Sequence, residues 1–327
     1  MNRFNVVISS TMGTAREVFV RELGPQAVTT FLADVGAHER KAALDSADVL
    51  IALDPTVEIS RDELAGMRQL KFVQLLTAGA DRVPPGLFRH DLPLGNTSGA
   101  TAPAIAEHIL ALVLGASKRL VFEHNQLSKG DWGHRRLNRI LNGKTAGILG
   151  YGKIGQCAGS LLRCIGMRVE AINRSGQAAQ PPDFLGTLQD LDEVLRRVDV
   201  LILTMSLNAA TRNLISARHL RSMKRDAILV ISSRGAIVDQ RDLYEHLLSN
   251  PEFVTCVDTW WSEPAAADEP FVSEYPFLSL PNFIGSPHNS GMVSEMRDRL
   301  AIYAARNVTR FMSGDGEVTL VKNEDRP

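Results

Sequence analysis

The chain has 327 residues, 44% hydrophobic and 22% charged, enough for one or two substantial cores but long for a single one, so two domains are expected. Lys plus Arg total 36 against 37 for Asp plus Glu, and the resulting charge of -1 excludes a global field drawing the chain to nucleic acid or an anionic membrane. A small molecule is the expected partner; the opening "MNRFNVVISSTMGTAREVF" is too weakly apolar for a signal peptide, and no segment offers the ~18 uninterrupted apolar residues of a membrane span, so the chain reads as cytoplasmic.

From the start, short apolar runs of strand type ("NVVISS", "AVTTFLA", "VLIAL", "KFVQLL") alternate with helical patterns such as "TAREVFVREL" and "SRDELAGMRQL", a rhythm that predicts a parallel sheet with crossover helices. After "PLGNTSGA" comes one long helical pattern, "APAIAEHILALVLGASKRLVFEHNQLSKG", then a fresh strand series: "TAGILG", "RVEAIN", "VLILTM", "AILVISS" and "FVTCVDTW". A boundary is expected near residue 98. The final helical pattern, "SEMRDRLAIYAARNVTRFMSG", is placed back on the first domain, which makes that domain discontinuous: residues 1–97 with 292–327 form one domain and 98–291 the other. The fold class is α/β, with a Rossmann-type doubly wound sheet in the second domain, a smaller flavodoxin-like α/β first domain, and a cleft between them. The chain carries no repeat, and its one biased segment is the short loop "SEPAAADEP". Cys157, Cys164 and Cys256 have no metal-type spacing and read as buried reduced thiols; no metal site is expected.

The stretch "GILGYGKIGQCAGSLLRCIGMRVEAINRS" is strand, glycine turn, helix, strand. Gly150, Gly152 and Gly155 fit G-x-G-x-x-G in the context that makes this pattern informative: a tight turn, a close backbone approach to pyrophosphate, and close helix–strand packing. An enzyme preferring NAD places an acid at the end of the second strand, to bind the ribose hydroxyls. Asn173 stands there instead, followed by Arg174 and Ser175, which can pair with and donate to a 2′-phosphate. NADP(H) is therefore the expected cofactor, with NAD(H) possible.

Three further stretches fall where strands of the second series end, the ligand crevice of a doubly wound sheet. "ISSRGAIVD" offers Arg234, a planar fork for a carboxylate and a neighbouring carbonyl. "GSPHNSG" offers His288, suited to proton transfer, and "CVDTWWSEP" offers Glu263 to orient the imidazole.

In order and wording, "NTSGATAPAIAEHILALVL", "GDW", "GKTAGILGYGKIG", "MKRDAILVISSRGAIVD", "DTWWSEP" and "PNFIGSPHNSG" resemble the D-isomer-specific 2-hydroxyacid dehydrogenases, which include glyoxylate and hydroxypyruvate reductases. The resemblance covers the second domain nearly throughout, and the first mainly at "KFVQLLTAGADRV". It implies that Arg234, Glu263 and His288 are catalytic and that Asp258 lies near the nicotinamide carboxamide. Lys153 and Ile154 fall at the pyrophosphate, Ser232 and Ser233 near the nicotinamide ribose, and Ser206 and Gly291 among the remaining cofactor contacts. Backbone N–H groups around Ala78 and Gly79 are implied to hold the substrate carboxylate, together with Arg234 and His288. Glu263 stands where formate-oxidising relatives have Gln, and "LLTAG" lacks the Lys of phosphite-oxidising ones. Hydroxypyruvate reductases of the family can carry a second Trp three positions after the one resembling Trp132; here that position is Arg135. "DTWW" replaces the more usual "DVF", so Trp260 and Trp261 either narrow the pocket or pack the core.

The expected reaction is NADPH-dependent reduction of a small 2-oxo acid to the D-2-hydroxy acid. The rivals are an NAD-using dehydrogenase of bulkier acids, and a cofactor-sensing corepressor-like protein, against which the short ending "VKNEDRP" speaks. The resemblance also implies a homodimer built through the cofactor domain, with the long pattern after residue 100 as an arm. The basic cluster "HRRLNR" lacks interleaved aromatics and does not suggest nucleic-acid binding.

Overall fold

The structure is a computed structural model that describes residues 3–11, 13–80, 83–84, 87–264 and 268–321; parts of the "TAGADRV" and "SEPAAADEP" stretches and most of "VKNEDRP" lie outside the described residues. The chain divides into two compact units, Met1–Thr101 together with Val293–Pro327, and Ala102–Met292.

The discontinuous unit is built on strands β1 (Phe4–Ile8), β2 (Ala27–Phe31), β3 (Val49–Ala52), β4 (Phe72–Leu75) and β5 (Leu94–Gly95), all parallel in the order β2-β1-β3-β4-β5. That is the flavodoxin-like order. Strand β3 is buried at every position, as a parallel strand covered on both faces must be. Alternate residues serve opposite faces: Val7, Leu50 and Val73 pack with Leu32, Leu44 and Leu70, while Val6, Ile8, Val49 and Ile51 pack with Phe19 and Leu23. The second face also takes Ala301, Ala304, Ala305 and Val308 from the helix Met296–Ser313. Asn307 of that helix donates from Nδ2 to Gln74 Oε1 at 2.6 Å and to the Thr319 carbonyl at 2.9 Å, and its Oδ1 accepts the Thr319 N–H at 2.7 Å. Gln74 and Asn307 are both fully buried, so this paired set fastens the late helix to β4 without an unsatisfied amide.

The contiguous unit holds β6 (Thr145–Leu149), β7 (Arg168–Ile172), β8 (Phe184–Gly186), β9 (Val200–Leu203), β10 (Ile228–Ile231), β11 (Val254–Val257) and β12 (Phe283–Gly285). Their order, β12-β11-β10-β9-β6-β7-β8, runs outward in both directions from β6 and is parallel throughout: a Rossmann-type doubly wound sheet. "VLIL" and "ILVI" are buried at every residue, and each such side chain stabilises the fold by roughly 1.5–3 kcal/mol. Leu149, Leu201, Leu203, Leu229 and Ile231 face one core with Val194, Leu220 and Leu243; Ile148, Val200, Ile202, Ile228 and Val230 face another with Ile109, Val113 and Leu162.

Two expectations need correction. The long helical pattern is two helices, Ala102–Ser117 and Leu120–Leu127, because Arg119 takes left-handed backbone at φ 55°. Its N–H closes on the Ala116 carbonyl, and the Arg139 N–H and Lys118 ammonium tie the break to the segment that follows. The cysteines are free as expected, but only Cys256 is buried, its thiol pushed up to about 12 by burial; Cys157 is half-buried and Cys164 exposed. The helix Lys153–Cys164 buries Gly155, Ala158, Gly159 and Leu162, and the i, i+7 face of the two cysteines lies nearly opposite that stripe, about 160° around the helix.

Candidate active site

The glycine turn joins β6 to the helix Lys153–Cys164, at the switch point of the sheet. Its three glycines answer to different demands. Gly150 sits at φ 102°, and a Cβ there would lie 2.5 Å from the Met205 amide nitrogen, beyond the end of β9. Gly155 packs so tightly that a Cβ would collide with the Gly150 carbonyl oxygen. Gly152 caps the helix, is exposed, and has nothing within 4 Å of a Cβ position. That open approach to a helix N-terminus suits a pyrophosphate. Lys153 is exposed and Ile154 half-buried beside it. Thr204, absent from the sequence reading, braces the turn through Oγ1 to the Gly150 carbonyl at 2.7 Å.

At the end of β7, Asn173 is used by its own loop. Oδ1 accepts the Gly176 N–H at 2.7 Å, and Nδ2 donates to the Gln177 carbonyl at 2.8 Å. The Gln177 N–H in turn reaches Ser175 Oγ at 3.3 Å, and Arg174 and Ser175 stand exposed on the loop thus fixed. Asn173 therefore shapes the loop instead of presenting its amide outward. Glu170, three residues earlier, is buried and paired with Arg197 at 2.8 Å, away from any ribose-binding role.

Past β10, the Ser232 and Ser233 hydroxyls are buried without a hydrogen-bond partner among the described residues. Orphaned hydroxyls at a strand's carboxyl end fit a polar ligand that completes them. Ser206, past β9, is exposed, and its carbonyl accepts from Thr211 Oγ1 at 2.8 Å.

Arg234 follows in extended backbone and leads into the short turn Gly235–Ile237. A Cβ on Gly235 would lie 2.6 Å from the Trp260 carbonyl carbon, so glycine lets the Arg234 loop press against the segment that carries Glu263. Arg234 Nη1 donates to the Ser233 carbonyl at 2.7 Å.

Glu263 Oε1 accepts the Trp260 N–H at 3.0 Å, and its carboxylate meets His288 Nδ1 at 2.9 Å from Oε1 and 3.0 Å from Oε2. The His288 side chain remains 38% exposed, against 21% for Glu263, so the imidazole keeps access to a reactant while its partner is shielded. The His288 backbone is left-handed, φ 50°. Fully buried Asp258 lies beneath: burial would raise its pKa, but hydrogen bonds from Ser286 and Ser290 and the nearby His108 outweigh this and hold the carboxyl below its ordinary range. Gly291 closes the same loop, half-buried.

Trp260 Nε1 donates to the Ser286 carbonyl at 2.8 Å and Trp261 Nε1 to the Val238 carbonyl at 2.7 Å. The Trp261 ring stacks on Phe277, and Trp260 packs against Phe271 and Phe283. Both tryptophans are packing anchors with their polar edges engaged.

The sequence matches the family model described as "D-isomer specific 2-hydroxyacid dehydrogenase, NAD binding domain" over residues 110–290. It is 32% identical over 287 residues to a glyoxylate reductase from Aeropyrum pernix, covering 85% of this chain and 84% of that one. The chain belongs to the D-isomer specific 2-hydroxyacid dehydrogenases. A hydroxypyruvate reductase from Thermotoga maritima is 28% identical over 257 residues, covering 78% of this chain and 81% of that one. Among solved structures, a family protein from Aeromonas salmonicida aligns with a TM-score of 0.79 and 25% identity, over 99% of this dehydrogenase and 100% of that chain. The protein is thus an NAD(P)-dependent oxidoreductase of the CH–OH group, in a family that interconverts small 2-hydroxy acids and 2-oxo acids. Among the described residues no helix is long and apolar enough to cross a membrane.

In the other unit, Ala78 and Gly79 lie in the bend after β4, whose form is set by Asn96 Nδ2 donating to the Ala78 carbonyl at 2.9 Å and Thr77 Oγ1 donating to the Gly79 carbonyl at 2.7 Å. His108 and Ser286, which join Asp258 beneath His288, were also absent from the sequence reading. The available signals were a lone His on a strongly apolar helical pattern and a Ser two residues before the candidate catalytic His.

Proposed function

We propose that this dehydrogenase reduces a small 2-oxo acid of the glyoxylate or hydroxypyruvate class to the D-2-hydroxy acid, preferring NADPH, with Arg234, Glu263 and His288 as its catalytic residues. The observation that carries the reading is the contact of Glu263 with His288 Nδ1 at 2.9 Å on a half-exposed imidazole. With Nδ1 engaged, Nε2 is left to deliver a proton to the carbonyl oxygen of the substrate. The reduced nicotinamide, when bound, supplies the hydride for the carbonyl carbon, so hydride and proton together convert C=O to CH–OH. Arg234 pairs with the substrate carboxylate and polarises the carbonyl, and the N–H groups around Ala78 and Gly79 are further carboxylate donors. Glu263 fixes the imidazole ring and supplies the counter-charge to its protonated form.

The residues that would hold the dinucleotide are Gly150, Gly152, Lys153, Ile154 and Gly155 at the pyrophosphate, and Ser206, Ser232, Ser233, Asp258 and Gly291 toward the nicotinamide half. Arg174 and Ser175, on the loop shaped by Asn173, would take the 2′-phosphate. Relatives named glyoxylate reductase and hydroxypyruvate reductase support the substrate class.

The proposal extends to a cytoplasmic homodimer. Leu120, Trp132, Leu137 and Ile140 of the cofactor unit are 60%, 72%, 89% and 68% exposed, an apolar density that favours coverage by a second copy. Light scattering at assay concentration decides it, a monomer counting against the arm.

The deciding experiment follows consumption of NADPH and NADH, at matched concentrations, with glyoxylate, hydroxypyruvate, pyruvate and phenylpyruvate. Fastest turnover of glyoxylate or hydroxypyruvate with NADPH is expected. Equal use of NADH overturns the cofactor preference, and fastest turnover of phenylpyruvate overturns the small-acid assignment.

A further inference from the structure

The loop that carries His288 is held from below by Asp258. Its Oδ1 accepts the Asn289 N–H at 3.2 Å and the Ser286 hydroxyl at 2.6 Å, and its Oδ2 accepts the Ser290 N–H at 3.3 Å. These contacts come from both sides of His288, whose left-handed backbone is an uncommon conformation for a side-chain-bearing residue and requires local restraint. Asp258 is fully buried and held in its ionised form, so it is an acceptor only. The single Ser286 proton is therefore committed to Asp258. Ser286 Oγ has only lone pairs to offer His108 Nε2, 3.0 Å away, and Nε2 must carry a proton. His108 and Asp258 are 3.6 Å apart, close enough for charge to be felt but too far for a hydrogen bond of their own, so the hydrogen-bonded route between them runs through the serine.

We propose that His108 is a positioning residue: its Nε2–H orients Ser286 onto Asp258 and so fixes the loop that presents His288. His108 has a firm base for this, since its helix Ala102–Ser117 buries Ala106, Ile109, Leu112 and Val113 in the core beneath the sheet. The link spans 178 residues of sequence and ties the first helix of the cofactor unit to its last loop. It rests on the reading of His288 as the proton donor. Were His108 only a packed polar residue, its loss would lower stability and leave the His288 ring undisturbed.

The test uses the full chain with His108→Leu, which removes the donor, and His108→Gln, whose amide N–H can replace it. One readout is the imidazole 15N NMR signals of His288, identified by their loss in His288→Asn. The other is kcat and KM for glyoxylate reduction by NADPH. His108→Leu is expected to shift the His288 signals and lower kcat about tenfold, the effect of losing one hydrogen bond of about 1.4 kcal/mol, with KM for NADPH nearly unchanged. His108→Gln restores both. Ser286→Ala cuts the same link one step later and is expected to match His108→Leu, which keeps the proposal testable if the leucine variant folds poorly. Unaltered His288 signals in the variants lacking the link, or equal losses with Leu and Gln, overturn it. The NMR readout needs no turnover, so an enzyme inactive on glyoxylate would sink the substrate reading while the role of His108 was still decided.

Discussion

Glu263 faces in two directions at once: Oε1 accepts the Trp260 N–H at 3.0 Å, and the same carboxylate meets His288 Nδ1 at 2.9 Å. The imidazole is thus anchored to a group that is itself anchored to backbone. Glu263→Gln preserves shape and removes the charge, and the loss of charge assistance is expected to lower reductive kcat about tenfold with little change in KM. His288→Asn, which removes the proton donor, is expected to lower it by about 10²–10⁴. Steady-state rates on the best substrate check both, and a wild-type kcat in Glu263→Gln would take Glu263 out of the catalytic set.

The loop after β7 makes a separate prediction about the cofactor. Arg174→Ser is expected to raise KM for NADPH about tenfold and to leave KM for NADH nearly unchanged, since one charge-assisted contact to a phosphate is removed. Asn173→Asp keeps an oxygen acceptor for the Gly176 N–H, loses the donor to the Gln177 carbonyl, and sets a negative charge at the strand end. It is expected to move preference toward NADH. The ratio of kcat/KM for the two cofactors measures both effects.

The glycines of the turn are expected to separate stability from binding. Gly155→Ala drives a methyl group against the Gly150 carbonyl and is expected to destabilise the cofactor unit by about 1–3 kcal/mol. Gly152→Ala meets open space, so Tm is expected to hold while NADPH binding weakens. Thermal melts with and without NADPH distinguish them; equal melting losses in both variants would contradict the division of roles.

Glu63 supplies a prediction about acid stability. The Arg40 guanidinium beside it, at 2.6 Å, and the Ser60 cap hold its carboxyl at about 2, down from the ordinary 4.5. A carboxyl lowered in the folded state stabilises above its unfolded value, and this contribution is lost as pH falls from about 4.5 through about 2. The pair is partly solvated, so the effect is expected to be about 1 kcal/mol. Glu63→Gln should melt lower at neutral pH and lose less over that window than the wild type, and parallel Tm curves for the two proteins would refute it.

Much of this was legible locally. Runs such as "VLIL" and "ILVI" declare buried parallel strands because they are apolar throughout, and Arg234, Glu263 and His288 each follow a strand end within a few residues. The short strands β5 and β8 carried too few residues for periodicity to register. The break at Arg119 was hidden because the helical apolar pattern runs on past it while contacts from Arg139 set the backbone. The loop role of Asn173 could not be read either, since the same amide is chemically fit to face a ribose and only the fold reveals that its atoms are taken. His108 and Ser286 were missed because their meaning lies in a partnership across 178 residues.

The fastening of Asn307 to Gln74 bears on the order in which the protein is made. Ala102–Met292 is one continuous stretch, with every strand of its sheet present once residue 285 has emerged from the ribosome. The unit begun first still lacks Ala301, Ala304 and Val308, and the amide that completes Gln74, until synthesis passes residue 308. Its apolar face, covered until then in part by Phe19 and Leu23 of the first helix, therefore waits incomplete through the translation of nearly 200 residues, about 10–40 s at ordinary elongation rates. Of the two units, the one whose translation begins first is the one completed last, and that interval is when its partly covered apolar face is most exposed to misassociation.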